Sequence, residues 1–387
     1  MFCPQRAPRP RVTFVTPMLS EFRRPFFRRL AEDLADVEVD LTVAYGRPYN
    51  SDMDSRADAV DMEGAVQLPQ YTLRVGKRPL VYKRLGPLFH SSDVLVVDQA
   101  LRNVELYPQL IRQRLGRGPV ISMWDHGRTY SKPQSQREQQ LKFAFTRQAR
   151  WFFAYTEGGA RSVVEHGFPE DRTTVVQNSI DTTAVRKAYE QVTAGQLARV
   201  REEYGLTPGR TALYIGAISS SKRIRFLLEA ADAVARLLPG FRLMVAGQGE
   251  EMATLQAWAA RSAAVVPVGQ AFGERKALLG AAADVLLMPG LVGLCAVDSF
   301  ALETPMVTTQ WPYHGPEFEY LEHGRNAVVA PNDLGQYASC VAELLGSPER
   351  LDAMRRECRE DARRYTVEEM SRRFTDGLVR LLANGKR

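Results

Sequence analysis

Residues 281–309 read AAADVLLMPGLVGLCAVDSFALETPMVTT, and their order of apolar runs, glycines and prolines predicts a strand–turn–helix–strand unit. The run Asp284-Val-Leu-Leu-Met288 has the length and apolar continuity of a buried strand, and Pro289-Gly290 bounds it. A glycine-bearing turn, Leu291-Val-Gly293-Leu294, follows. Residues 295–302 are apolar enough for a buried helix, Pro305 stops it, and Met306-Val-Thr-Thr309 begins another strand. In such a unit the helix N-terminus, near Gly293 and Leu294, is the place for an anion. Free N–H groups and the positive dipole end there attract phosphate, the dipole alone by roughly 0.3–2 kcal/mol. Asp298, a turn further in, supplies a carboxylate that accepts hydrogen bonds from a pair of sugar hydroxyls. The stretch is predicted to cradle a nucleotide.

The same stretch resembles the donor-site signature of the GT4-type retaining glycosyltransferases, which reads P-S-x-x-E-G-F-G-L-x-x-x-E-A-x-A-x-G-x-P-V-V. Gly293, Leu294, Ala301, Pro305 and Val307 match it, and Asp298 stands at the second glutamate. Gly290 occupies the place of the first glutamate and Glu303 that of a glycine. The resemblance implies a GT-B fold: two Rossmann-like, doubly wound parallel α/β domains facing a cleft, with the donor held by the second. It also implies that the first glutamate touches the donor sugar and the second holds the ribose.

The rest of the composition is consistent with that frame. A chain of 387 residues suits two domains, and 45% hydrophobic with 25% charged residues is ordinary for a globular protein. No apolar run reaches the roughly 20 residues of a membrane span, and MFCPQRAPRPRV is no signal peptide. Cys3, Cys295, Cys340 and Cys358 are scattered without CxxC spacing, which fits a reducing cytosol and neither a disulfide framework nor a zinc site. The 51 basic and 45 acidic residues leave +6, a mild excess that suits solvated surface, anionic substrates or a membrane face. No basic–aromatic or DNA-reading pattern points to nucleic acid.

From the N-terminus, Arg11-Val-Thr-Phe-Val-Thr16 reads as a buried strand closed by Pro17. The following Phe22-Arg-Arg-Pro-Phe-Phe-Arg-Arg-Leu30 reads as a helix with Pro25 in its first turn. Two readings fit its mixture of arginine and phenylalanine: a core-facing aromatic stripe with a solvated basic edge, or a cationic amphipathic face resting on anionic lipid. The first is the simpler. Asp52 and Asp54 form an Asp-x-Asp pair in a polar stretch with no strand leading into it, so a solvated loop is expected there and not a metal site. Lys77-Arg78 and Lys83-Arg84 make a second basic patch with apolar neighbours. Residues 93–97 and 120–123 are further strands with a helix between them, the rhythm of a parallel sheet.

The second of these strands runs into Trp124-Asp-His-Gly-Arg-Thr-Tyr130, at the strand end where open α/β sheets bind ligands. This is similar to a Trp-Gly-His-Gly sequence of bacterial GT4-like enzymes. The resemblance implies His126 facing the donor sugar or its phosphate and Arg128 near acceptor or phosphate. A polar helix is expected over 133–148, and Val175-Val-Gln-Asn-Ser-Ile-Asp181 resembles the segment that closes the family's first domain. One charged helix is expected over 184–204. The domain boundary is therefore set at 183/184. Phe374, Leu378 and Leu381 fall at helical intervals in the C-terminal stretch, and the resemblance implies that 366–387 returns to the first domain, 1–183, leaving 184–365 as the second.

In the second domain Gly216-Ala-Ile-Ser-Ser-Ser-Lys222-Arg223 follows a strand. It resembles the family's Gly-Arg-x-x-x-x-Lys-Gly loop, whose Arg and Lys grip the donor diphosphate. Lys222 keeps its offset from Gly216, Ala217 replaces the arginine, and Arg223 is expected to recover part of that contact, worth about 1.5–3 kcal/mol. Gly247-Gln-Gly249 ends another strand and resembles the turn that floors the nucleotide site. In the crowded loop 308–322, matching Gly324 to a family glycine points to Glu319.

The leading expectation is a metal-independent retaining glycosyltransferase with no cofactor. It would move a sugar from a UDP- or GDP-sugar to a glycan, lipid-linked or small-molecule acceptor, in the cytoplasm or on the inner membrane face. A nucleotide-sugar epimerase on the same fold is one rival. A nucleotide-sugar-binding protein without transfer activity, for which Gly290 speaks, is the other.

Overall fold

The computed structural model describes residues 8–49, 62–76, 78–130 and 135–384. Cys3, the Asp52–Asp54 pair and Lys77 lie outside the described residues, as do the first residues of the helix expected over 133–148 and the last three of the chain. The chain divides into two compact units: Met1–Thr129, Pro133–Gln177 and Val367–Arg387 form the first, Tyr130–Lys132 and Asn178–Thr366 the second. The division falls at 177/178, where the sequence reading puts 183/184. Asn178 donates its side-chain amide to Glu317, and Ser179 Oγ donates to the Tyr365 carbonyl at 2.9 Å, so these residues are tied into the second unit.

The first unit is built on a seven-stranded sheet in the order β3-β2-β1-β6-β7-β8-β9, every pair parallel. The strands are β1 Arg11–Thr16, β2 Asp40–Tyr45, β3 Val66–Gln67, β6 Val94–Val97, β7 Val120–Asp125, β8 Trp151–Ala154 and β9 Thr173–Val175. Strands covered on both faces must be apolar throughout, and β6 and β8 are buried at every residue. Between β3 and β6 the chain makes an antiparallel hairpin, β4 Gln70–Val75 and β5 Arg78–Lys83, which the sequence reading saw only as a basic patch.

The helix Arg24–Asp36 buries Phe26, Phe27, Leu30 and Leu34. The Phe26 and Phe27 rings join Phe14, Trp124 and Phe374 in one aromatic cluster, with centroids 5.2–6.4 Å apart. Arg24 pairs with Glu21 at 3.1 Å, Arg29 pairs with Asp33 at 2.8 Å, and Arg23 lies over Trp124. The apolar face of this helix packs into the unit's core, as the simpler of the two readings expects, while Phe22 just before it is 44% exposed. The C-terminal helix Val367–Asn384 packs into the same cluster, Phe374 stacking on Phe153 at 4.3 Å.

The second unit carries a six-stranded parallel sheet, β12-β11-β10-β13-β14-β15. Its strands are β10 Thr211–Ile215, β11 Arg242–Ala246, β12 Val265–Gly269, β13 Val285–Met288, β14 Met306–Thr309 and β15 Ala327–Ala330. Two helices, Thr182–Glu190 and Ala194–Tyr204, replace the single one expected over 184–204. Thr193 and Gln196 form a capping box, which satisfies the free N–H groups of a new helix start and so breaks the run. The strand–turn–helix–strand unit is present as β13, the helix Cys295–Ala301 and β14. Among the described residues no helix is long and apolar enough to cross a membrane.

Candidate functional site

In a parallel sheet the loops at the carboxyl ends of the strands are the ones free to bind ligand. The loop after β10 begins at Gly216, and Gly247 and Gly249 follow β11. A Cβ on Gly247 would run into the Gly216 carbonyl, and one on Gly249 would lie 2.9 Å from Ile218 N. Gly216 N donates to Ala246 O, Ile218 N to Gln248 O and Glu251 N to Ile218 O, each at 3.0 Å. The Gly-x-Gly spacing thus allows two loop backbones to touch. Beside them a cavity of about 240 Å3 is lined by Gly216, Ala217, Gly247, Gln248, Gln270 and Phe272, among others. Phe272 is 75% exposed and caps the helix Gly273–Ala282. Sequence reading passed over it because a lone aromatic in a loop carries no pattern.

Lys222 closes the loop in a short 3-10 turn, Ser220–Lys222. Its ammonium donates to the Leu291 carbonyl at 2.5 Å, and Leu291 N donates to Ser221 O at 3.1 Å. The turn after β13 and the Lys222 loop are therefore one assembly. Gly290 is its contact point: a Cβ there would come within 2.7 Å of the Lys222 Cα, amid the atoms of that peptide. No side chain fits at 290 with the loop in this place.

Arg223 adopts left-handed backbone, φ 57° and ψ 46°, at the position where the resemblance has a glycine. Its guanidinium donates to Pro289 O at 3.2 Å, Thr309 Oγ1 at 3.3 Å and Asn332 Oδ1 at 2.7 Å. It also lies over the Phe226 and Trp311 rings, at 4.0 and 4.4 Å, and burial pushes its pKa down. This side chain ties together the ends of β13, β14 and β15.

Asp298 sits on the helix Cys295–Ala301, and its Oδ1 accepts from Lys276 Nζ at 2.6 Å with both side chains largely buried. Lys276 comes from the helix Gly273–Ala282, so its pairing is visible only in the fold. His314, one of the residues crowding the loop 308–322, braces the turn before Gly293. Its Nδ1 accepts from Val292 N at 3.1 Å and its Nε2 lies 2.9 Å from Thr309 O, which fixes the neutral Nε2–H tautomer. Burial holds its pKa below 6.5. Glu317 is buried beside Gly293 and Gly315 and accepts from Asn178. Glu319, named from sequence, instead accepts from Tyr130 at 3.0 Å.

Residues 209–347, which hold every one of these donor-side candidates, match the sequence model of a family described as Glycosyl transferases group 1. No curated protein sequence matches the chain. Solved structures do. Anabaena Alr3699/HepE in complex with UDP superposes with a TM-score of 0.69 at 14% identity, covering 95% of this chain and 99% of that one. A glycosyltransferase from Rickettsia africae gives 0.68 at 11%, covering 97% and 99%. Sucrose-phosphate synthase from Thermosynechococcus elongatus gives 0.67 at 14%, covering 97% and 100%.

The fold is GT-B.

In the first GT-B unit, β7 ends at Asp125 and presents His126, whose ring meets Tyr155 edge-on at 4.6 Å and is 42% exposed. Gly127, at φ 78°, is forced by contact: a Cβ there would come within 3.0 Å of the Gly159 backbone at the start of the helix Glu157–Glu165. Arg128 is exposed. The neighbouring end of β6 adds a cluster that sequence reading missed. Burial raises the pKa of Asp98, although Lys83 and Arg102 pull it back. Burial likewise lowers that of Lys142, with Asp125 opposing. Gln99 Nε2 donates to Gly127 O at 3.2 Å, joining the two strand ends.

Proposed function

We propose that this GT-B protein transfers a sugar from a nucleotide-diphosphate donor, a UDP- or GDP-sugar, to a hydroxyl of a glycan, lipid-linked or small-molecule acceptor. Retention of configuration and independence of a metal ion are part of the proposal. The observation that carries it is the assembly of the Lys222 loop, the Gly290–Leu294 turn and Asp298 within the span that matches the glycosyltransferase model. In this reading Lys222 neutralises the leaving diphosphate, the amides of Gly293 and Leu294 face it, and Asp298 takes the ribose hydroxyls while Lys276 fixes its orientation. The aromatic face of Phe272 suits stacking of the base over the small cavity between the two glycine loops. Arg223 acts through the strand ends it holds. His126 is assigned to the transferred sugar on the resemblance of its stretch, and the strand-end cluster of Asp98, Asp125 and Lys142 has the hydroxyl-binding groups an acceptor needs. The acceptor attacks on the leaving-group side, so no protein nucleophile is required.

Gly290 has a packing reason, so its departure from the family glutamate does not require lost activity. Because Alr3699/HepE has been crystallised with UDP and with UDP-glucose, uridine nucleotides come first in a test. Thermal melting against UDP-, GDP-, ADP- and TDP-sugars reads binding directly, since a ligand of the native state raises Tm by mass action. Asp298→Ala is expected to weaken the binding nucleotide by about 1.5–3 kcal/mol, roughly 10- to 100-fold. Sugar release or transfer with that nucleotide, slowed by His126→Ala, completes the test. No shift with any nucleotide would sink the proposal.

A further inference from the structure

The hairpin of β4 and β5 has two unlike faces. Its inner face is fastened. Lys83 is buried between Glu105, at 2.9 Å, and Asn103 Oδ1, at 3.1 Å. Val81 exchanges backbone hydrogen bonds with Arg102 and Val104, and Gln70 closes a two-bond contact with the backbone of Arg47. The register pairs Tyr71 with Tyr82, Leu73 with Leu80 and Val75 with Arg78, and directly opposed residues share a face. The outer face therefore carries Tyr71, Leu73, Val75, Leu80 and Tyr82 side by side. Tyr71, Leu73, Val75 and Tyr82 are 63%, 65%, 58% and 44% exposed, and the two tyrosine rings stand 6.4 Å apart.

A contiguous apolar face of this kind marks a surface that meets something other than water. Its charge says what. Residues 70–84 contain Arg74, Lys77, Arg78, Lys83 and Arg84 and no Asp or Glu. Glu105 neutralises Lys83, while the register puts position 78 opposite Val75 on the outer face and Arg84, two residues after Tyr82, is exposed on that same side. A second copy docking face to face would set this basic run against itself. Tyrosine, aliphatic and basic residues on one rigid face instead match the boundary layer of a membrane, where amphipathic rings sit at headgroup depth and cations meet anionic lipid.

We infer that the β4–β5 hairpin is a docking surface for an anionic lipid bilayer. The apolar face of the Arg-rich helix Arg24–Asp36 is instead core. Lipid binding is read without donor or acceptor, so it stands or falls apart from the transfer reaction.

The test is co-sedimentation of the full chain with phosphatidylcholine vesicles, with and without phosphatidylglycerol, over a salt series. Binding is expected only to the anionic vesicles and to weaken as salt rises. Arg84→Gln is expected to reduce partitioning about fivefold, and Leu73→Asp combined with Val75→Asp to abolish it. All these positions are exposed, so the melting temperature serves as the control for folding. Absence of binding to anionic vesicles, or equal binding by Leu73→Asp/Val75→Asp, overturns the inference. So does a self-association seen by sedimentation velocity that these substitutions remove, because the face would then belong to a second copy.

Discussion

Arg223 and Glu303 stand where the resembling signature has glycines, and both have left-handed backbone, at φ 57° and 51°. That conformation costs a non-glycine residue roughly 1–2 kcal/mol. Each side chain offsets it with bonds a glycine cannot make: Arg223 to Pro289, Thr309 and Asn332, and Glu303 to Arg359 through both oxygens, at 2.8 and 2.5 Å. Gly290 is the reverse case, a glycine where a side chain is usual, set by contact with the Lys222 peptide. Gly290→Ala is expected to lower stability by about 1–3 kcal/mol through overpacking and, by displacing Lys222, to weaken nucleotide binding. Unchanged melting and unchanged affinity together would refute the packing account. His314 makes a prediction in pH. Its pKa in the fold lies below 6.5, so the unfolded chain takes up the proton first. The stability owed to the neutral ring is complete above pH 6.5 and is lost as pH falls below it. Melting temperature should therefore drop on acidification from that point, and His314→Gln should flatten that part of the profile.

The element that best shows how packing overrides local preference is the C-terminal helix Val367–Asn384. Gly377 lies inside it, although glycine costs a helix interior about 1 kcal/mol relative to alanine. A Cβ there would lie 2.6 Å from the Phe153 ring and 2.7 Å from Thr174 Oγ1. Gly377→Ala is thus expected to destabilise by about 1–3 kcal/mol despite its better propensity, as denaturant titration would show. A gain in stability would mean that the helix stands off from β8 and β9. Spacing alone outlined this helix, because Phe374, Leu378 and Leu381 repeat at helical intervals and are buried. The same reasoning found β1, β6, β7 and the β13–β14 unit. It merged Thr182–Glu190 with Ala194–Tyr204, since charge continues across the break and only the cap at Thr193 ends it. It also missed the hairpin, whose apolar residues alternate on a face that no core covers.

At the scale of the molecule, the two units have separate cores and the chain passes from the first to the second and back. Nucleotide binding concerns candidates in the second unit, so calorimetry should show its transition moving up with nucleotide while any separate transition of the first unit stays in place. A ligand that moved both equally would place the donor contacts elsewhere. Two parallel α/β sheets, their sequence of apolar strands and helices, and the glycine turns after β10, β11 and β13 were all legible in the sequence. These rest on local patterns: unbroken apolar strands, glycines where backbones touch, prolines that stop helices. Tertiary structure alone decided which charges meet. Lys276 stands far from Asp298 along the chain, and Arg223 finds Asn332 across three strand ends. It also decided that the phenylalanines of the first helix face Trp124 and Phe374 while Tyr71 and Leu73 face solvent. Apolar and basic residues alternate in both segments. What separates them is which face another part of the chain covers, and no local pattern carries that.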